Sequence, residues 1–254
     1  MASPTWTAAA LRSEAAPHAG LWWRCVEAQH IVSTRALVDS LDDQLLLEDI
    51  LEDTKPRVPV ECEGLHYLYM TPFRYGPYPV GSRFRRAGLT PGVYYAAQRV
   101  ETALAETAFH TLLFFAESPG TPFPARAIAY TAFDVRVKTD AAIDLRTGGF
   151  MEHVAVWAHP TDYGPTQALE ETAREADVDA ILYASVRDPG GGANIALLTC
   201  RAFAAKAPRR QQGWKLHFGA SGVDAFAGLG GRRFNMPPEA FAYDPRIPAG
   251  LWAR

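Results

Sequence analysis

Cysteine is scarce in this chain. Cys25, Cys62 and Cys200 are odd in number and far apart, which argues against a disulfide framework or a zinc site. Cys200 falls in an apolar run and reads as a small core hydrophobe. Long hydrophobic runs are absent too, so no membrane span is expected, and the N-terminus lacks the basic start and apolar core of a secretory signal. A net charge of -3 argues against a nucleic-acid surface, local patches such as Arg83-Phe84-Arg85-Arg86 aside. There is no internal repeat. These absences predict a cytoplasmic protein with no membrane contact and no direct nucleic-acid partner. What remains, 48% hydrophobic and 21% charged residues, belongs to an ordinary globular chain. Its 254 residues suffice for one large domain, or a medium one with appendages.

Along the chain, Met1 to about Leu21 is alanine-rich and punctuated by Pro4 and Pro17, and reads as loosely ordered. Trp22 to Val26 suits a short strand. Thr34 is placed to cap a helix from Arg35 to about Glu52, in which Leu37, Leu41, Leu45, Ile50 and Leu51 recur near helical period. Its apolar face is expected to pack on its own domain, leaving Asp39, Asp42, Asp43, Glu48, Asp49, Glu52 and Asp53 in solvent. His66 to Met70 reads as a strand, and Thr71 to Gly92 as an ordered loop over a ligand cleft. Val93 to Ala97 is a second strand. Val100 to Ala116 is a helix with Leu104, Ala108, Leu112 and Phe115 as its apolar stripe and with Glu106 and His110 one turn apart on another face. Ala127 to Val137 and Ile143 to Leu145 read as strands, Pro165 to Ala176 as a helix. Ala180 to Val186 and Asn194 to Ala202 read as two apolar strands joined by the turn Arg187 to Gly192. From Pro208 onward, scattered glycines suggest irregular structure. The expected organisation is a partly helical extension (1–60), a main domain (61–207) and an irregular C-terminal extension (208–254).

Two segments carry the chemistry. The first is Gly81-Ser82-Arg83-Phe84, which leads into Tyr94-Tyr95 and Glu106. The second is Tyr183-Ala184-Ser185. An arginine supplies a planar fork for a pyrophosphate. A tyrosine face holds a flat heteroaromatic ring. A carboxylate stabilises the positive charge that builds on a sugar as its bond to such a ring breaks.

This set resembles the RES-domain family, named for its Arg, Glu and Ser residues. The carriers are the turn at Arg83, Tyr95-Ala96-Ala97 at a strand end, Ala103-Leu104-Ala105-Glu106 followed by His110, and Tyr183 to Arg187 with Gly191-Gly192-Ala193-Asn194. They span roughly His66 to Ala204. Ser82 and Phe84 replace the commoner Gly and Trp, and extra residues separate Arg83 from Tyr95. The resemblance implies an α+β fold with an ADP-ribosyltransferase-like mixed or split sheet and flanking helices. It implies NAD as substrate, with no prosthetic group and no metal. It also implies the toxin of a type II toxin–antitoxin pair, whose partner is an Xre-type antitoxin. The acceptor would be water, phosphate or a protein side chain.

By the same resemblance Glu106 stabilises the sugar cation, Arg83 binds pyrophosphate and Tyr95 stacks on nicotinamide. Of Tyr94 and Tyr95, one belongs to the core. Ser185 bonds the ribose or the amide; it lacks a nucleophile elbow. Arg74 is a second candidate for the pyrophosphate pocket, a structural salt bridge being the alternative. Asn194 is placed to brace the Ser185 loop or to touch ligand, with bracing favoured, and His110 reads as a structural support. A buried Glu106–His110 pair serving stability is the rival reading of that helix. Two other functions compete: a protein ADP-ribosyltransferase that modifies a specific metabolic enzyme, and a non-catalytic nucleotide-binding module.

Overall fold

The computed structural model describes residues 5–28, 37–228 and 231–253. Six helices, α1 (Ala8–Glu14), α2 (Leu41–Asp53), α3 (Tyr67–Arg74), α4 (Val100–Glu117), α5 (Val154–Trp157) and α6 (Gly164–Glu175), surround one sheet. Its strands are β1 (Ala16–Glu27), β2 (Tyr94–Ala97), β3 (Ile128–Asp144), β4 (Ala180–Ala184), β5 (Ala193–Leu197), β6 (Gln211–Gly219), β7 (Gly222–Phe226) and β8 (Arg233–Met236). They lie in the order β1-β2-β5-β4-β3-β6-β7-β8. Because β1 also pairs with β3, five of them close into a ring, from which β6, β7 and β8 run on as a meander. Only β3 and β4 are parallel, so the sheet is mixed. The molecule is α+β.

Strand alternation sorts the side chains. On β2, Tyr94 enters the interior cluster with Tyr69, Phe133, Leu182 and Ile195, while Tyr95 packs on the opposite face with Phe84, Ile181, Tyr183 and Ala196. Helix α6 covers that second face through Leu169 and Ala173. Helix α4 lies elsewhere, against Trp23, Trp214, Leu216 and Phe218. The stripe read from the sequence (Leu104, Ala108, Leu112 and Phe115) is what it buries.

Several expectations are corrected. The described part of the N-terminal stretch is regular structure: Thr7 caps α1, and β1 runs for twelve residues along β3, with Pro17 accommodated at a register shift between Ala16 and His18. The anticipated cap Thr34 and start Arg35 lie outside the described residues. The helix that is described begins at Leu41, capped by Ser40, and none of its residues is buried. His66 to Met70 is not a strand. His66 caps α3 by accepting from the Leu68 N–H, and helical spacing brings Tyr69 and Phe73 together around Tyr94 and Phe203. The two strands expected over 127–145 are one, β3. The C-terminal part contains three strands, because Trp214, Leu216 and Phe218 alternate inward with Lys215 and His217 outward.

The cysteine reading is overturned as well. Cys62 and Cys200 form a disulfide across a Cα–Cα distance of 5.6 Å, joining the turn after α2 to the turn after β5. Cys200 is therefore a crosslink, not a simple core hydrophobe. Among the described residues no group of side chains could hold a metal ion, and no helix is long and apolar enough to cross a membrane.

Cys25 is the free cysteine, and burial pushes its thiol up to about 12. Alkylation under native conditions should therefore label nothing. In denaturant without reductant it should label Cys25 alone; three labelled cysteines would refute the crosslink. Cys200→Ser should cost about 2–4 kcal/mol of stability, measured by denaturant unfolding.

Candidate active site

The Arg83 turn is clamped from two sides. Ser82 and Arg85 close it with an antiparallel bridge. The Tyr95 hydroxyl bonds Ser82 Oγ at 2.8 Å and accepts from the Phe84 N–H at 3.1 Å. From α6, Thr166 donates to the Arg83 carbonyl, and Gln167 donates to those of Ser82 and Arg85. The guanidinium itself is occupied. Its Nη1 donates to the Trp157 carbonyl at 2.6 Å and its Nη2 to that of His159 at 3.0 Å, while its plane lies over the Tyr163 ring. Arg83 is buried, so in this state the fork ties the turn to the end of α5 instead of facing open space.

Glu106 projects from α4, Ser185 follows β4, and Asn194 stands on β5 opposite Tyr183 and Ala97. Ser185 Oγ donates to Glu106 Oε1 at 2.7 Å, and Asn194 Nδ2 donates to the same oxygen at 2.5 Å. Both bonds use one oxygen of the carboxylate. Glu106 Oε2 has no hydrogen-bond partner among the described residues, and it is not sealed from solvent. Ser185 Oγ also accepts from the backbone N–H groups of Arg187 and Asp188. Its proton is thus donated to Glu106 and its lone pairs are taken by two backbone N–H groups. Asn194, expected to brace the Ser185 loop, instead bonds Glu106 through Nδ2, and its buried Oδ1 lacks a hydrogen-bond partner.

Thr102, Glu106 and His110 form one row of α4, four residues apart. Thr102 and Arg99 hold Asp188, so the loop carrying Ser185 is latched to the helix one turn before Glu106. Gly192 lies against this latch: a Cβ there would collide with Thr102 and Asp188. His110 is solvent-exposed yet crowded by neighbouring protein atoms. That crowding lowers its imidazole pKa, aided by Arg187 and Arg246 and opposed by Glu106.

Three contributors escaped the sequence reading. Tyr183 is buried on the face of Tyr95 and packs edge-on against Phe84; burial first, then Glu106 and Tyr95, raise its hydroxyl well above the ordinary tyrosine range. Arg187, quoted only as part of a motif, lies 3.7 Å over the Phe109 ring and donates to Asp244, Tyr163 and the Pro160 carbonyl. Arg246 grips both oxygens of Asp244. Two guanidiniums share one buried carboxylate, which leaves the wall beside Glu106 and His110 net positive. Nothing local in the sequence signals an ion pair between residues 57 apart. Arg74 is engaged elsewhere, bonding Glu52 and the Pro56 carbonyl at the end of α2, so its salt-bridge alternative is the one realised.

Comparison with known proteins follows from this geometry. A family model described as RES domain matches residues 57–219. No curated protein matches the chain. Among solved structures, the crystal structure of the M. tuberculosis MbcT–MbcA toxin–antitoxin complex aligns at a TM-score of 0.45 and 15% identity, covering 79% of this chain and 90% of that one. A likeness at that level fixes neither fold nor function.

Two outcomes are expected from the site's construction. Gly192→Ala should lower stability by about 1–3 kcal/mol and loosen the Ser185 loop, read by thermal unfolding and hydrogen exchange. His110 and His18 both have pKa values below 6.5 in the folded state. The unfolded chain therefore takes up protons first, and stability should fall as pH drops below about 6.5. His110→Asn should flatten that slope, and an unchanged slope would refute it.

Proposed function

The chain belongs to the RES-domain family, and from that premise we propose that it cleaves the nicotinamide–ribose bond of NAD as the toxin of a toxin–antitoxin pair. The observation that carries this reading is the one-sided anchoring of Glu106. Ser185 and Asn194 fix Oε1 and leave Oε2 for a ribose hydroxyl. As the bond breaks, its electron pair leaves with the pyridinium nitrogen and yields neutral nicotinamide. The sugar becomes an oxocarbenium ion beside a carboxylate that is already oriented, so little reorganisation is needed at the moment of charge development. Water or phosphate then adds to the cation. No metal is required, because a cationic pyridinium is already a good leaving group.

The remaining residues take supporting roles in this reading. The Tyr95 ring stacks on nicotinamide while its hydroxyl keeps the Arg83 turn closed. Arg83 meets the pyrophosphate by exchanging the carbonyls of Trp157 and His159 for phosphate oxygens, and the positive wall of Arg187 and Arg246 attracts the same group. The mixed sheet serves as an ADP-ribosyltransferase-like core. An Xre-type antitoxin, implied by the family, would be the partner that restrains the enzyme by covering the cleft.

The test is NAD consumption by purified protein, with and without inorganic phosphate, beside Glu106→Gln. The substitution keeps the shape and removes the charge, and it should lower turnover about 100-fold or more while NAD still binds. Mass spectrometry separates ADP-ribose from ADP-ribose-1″-phosphate and so names the acceptor. Undiminished NAD with the wild type would overturn the proposal, and transfer to an added protein would assign the chain to the protein ADP-ribosyltransferases.

A further inference from the structure

Helix α2 shows apolar side chains to solvent on both flanks of an acidic stripe. Leu41 and Leu45 are 70% and 62% exposed, and Leu46 and Ile50 are 60% and 51% exposed. Each pair is four residues apart and forms a short row along the helix. Between the rows run Asp42, Asp49 and Asp53, spaced seven and four residues apart and so aligned on one face. None of the three has an ion-pair partner among the described residues. The sequence of α2, LDDQLLLEDILED, contains six acids and no base.

This helix does not owe its order to burial. A segment of 13 residues is marginal as an isolated helix. Here it is capped by Ser40 at its start and tied near its end by the Arg74–Glu52 pair. The body thus holds α2 from one end and leaves Leu41, Leu45, Leu46 and Ile50 uncovered. Such a patch is stable in water only at a solvation cost, which a partner would relieve.

We infer that α2 is the docking element for a basic, apolar-faced helix of another protein, with leucine-like side chains packing on the two rows and Lys or Arg running along the aspartate stripe. Charge complementarity decides among occupants. A second copy would set one acidic stripe against another, and like charges across an interface repel. An anionic lipid surface is repelled by the same aspartates. The inference does not depend on what the cleft catalyses.

The experiment uses the full chain and two fluorescent synthetic helices with identical leucine rows, one carrying a lysine stripe and the other an aspartate stripe. Anisotropy should show binding of the lysine helix alone. Leu46→Glu with Ile50→Glu should weaken it about tenfold or more. Asp42→Lys with Asp49→Lys and Asp53→Lys should transfer the preference to the aspartate helix. Unchanged melting temperatures would show that both variants fold, since all five side chains lie at the surface. Equal binding of the lysine helix by wild type and both variants would overturn the assignment. So would dimers in sedimentation that Leu46→Glu with Ile50→Glu dissolves, which would name a second copy, or capture by phosphatidylglycerol vesicles, which would name a lipid surface.

Discussion

A half-buried carboxylate on a helix with a largely buried apolar stripe calls for hydrogen-bond donors, and the placement of Glu106 sets the terms for what surrounds it. Its two donors come from neither its own helix nor one another's segment: Ser185 follows β4 and Asn194 belongs to β5. Both arrive only if the β4–β5 hairpin lies next to α4 in one register. A slip of one residue would turn Asn194 to the other face and bring an apolar neighbour in its place. The Asp188–Thr102 bond and the side-chain-free Gly192 are therefore parts of the same device, since they fix how closely the hairpin loop approaches the helix. The turn at Arg83 depends on the hairpin in its turn, through Tyr95 on the neighbouring strand β2 and through Phe84 under Tyr183.

The wall opposite is built by a long-range electrostatic arrangement. Arg187 and Arg246 converge on Asp244, whose carboxyl is held below its usual range because these cations outweigh the effect of burial. An ion pair enclosed this far is weak evidence of stability. Its effect is positional: it ties the segment at Tyr243 to Arg246 to Arg187 and puts positive charge near His110, which adds to the lowering of the imidazole pKa that burial begins.

Where the sequence was readable, a single physical rule dominated. The stripe on α4 and the β4–β5 hairpin followed from periodicity and turn chemistry. Glu106, Ser185 and Asn194, quoted for the family resemblance, are brought together by the fold through two hydrogen bonds. His66 to Met70 failed because an aromatic run of five residues suits strand or helix equally, and the choice was made by a cap and by the tertiary meeting of Tyr69 with Phe203. The C-terminal strands carry an alternation in Trp214, Leu216 and Phe218, but Gly213, Gly219 and Gly222 punctuate it and give the segment the composition of a loop. The Cys62–Cys200 crosslink, the Arg187–Asp244 pair and the exposure of α2 were out of reach, since each depends on where distant segments meet.

The pairing of β1 with β3 has a kinetic side. Eleven register pairs join Ala16–Glu27 to a strand that follows it by roughly a hundred residues, and the ring cannot close until that strand exists. On a ribosome the N-terminal strand, with Trp22 and Trp23, must wait for most of the chain to be made, presenting an unpaired apolar edge meanwhile. Closure of the ring is thus a late event of synthesis, and the nascent chain passes much of its length before Glu106, Ser185 and Asn194 can meet.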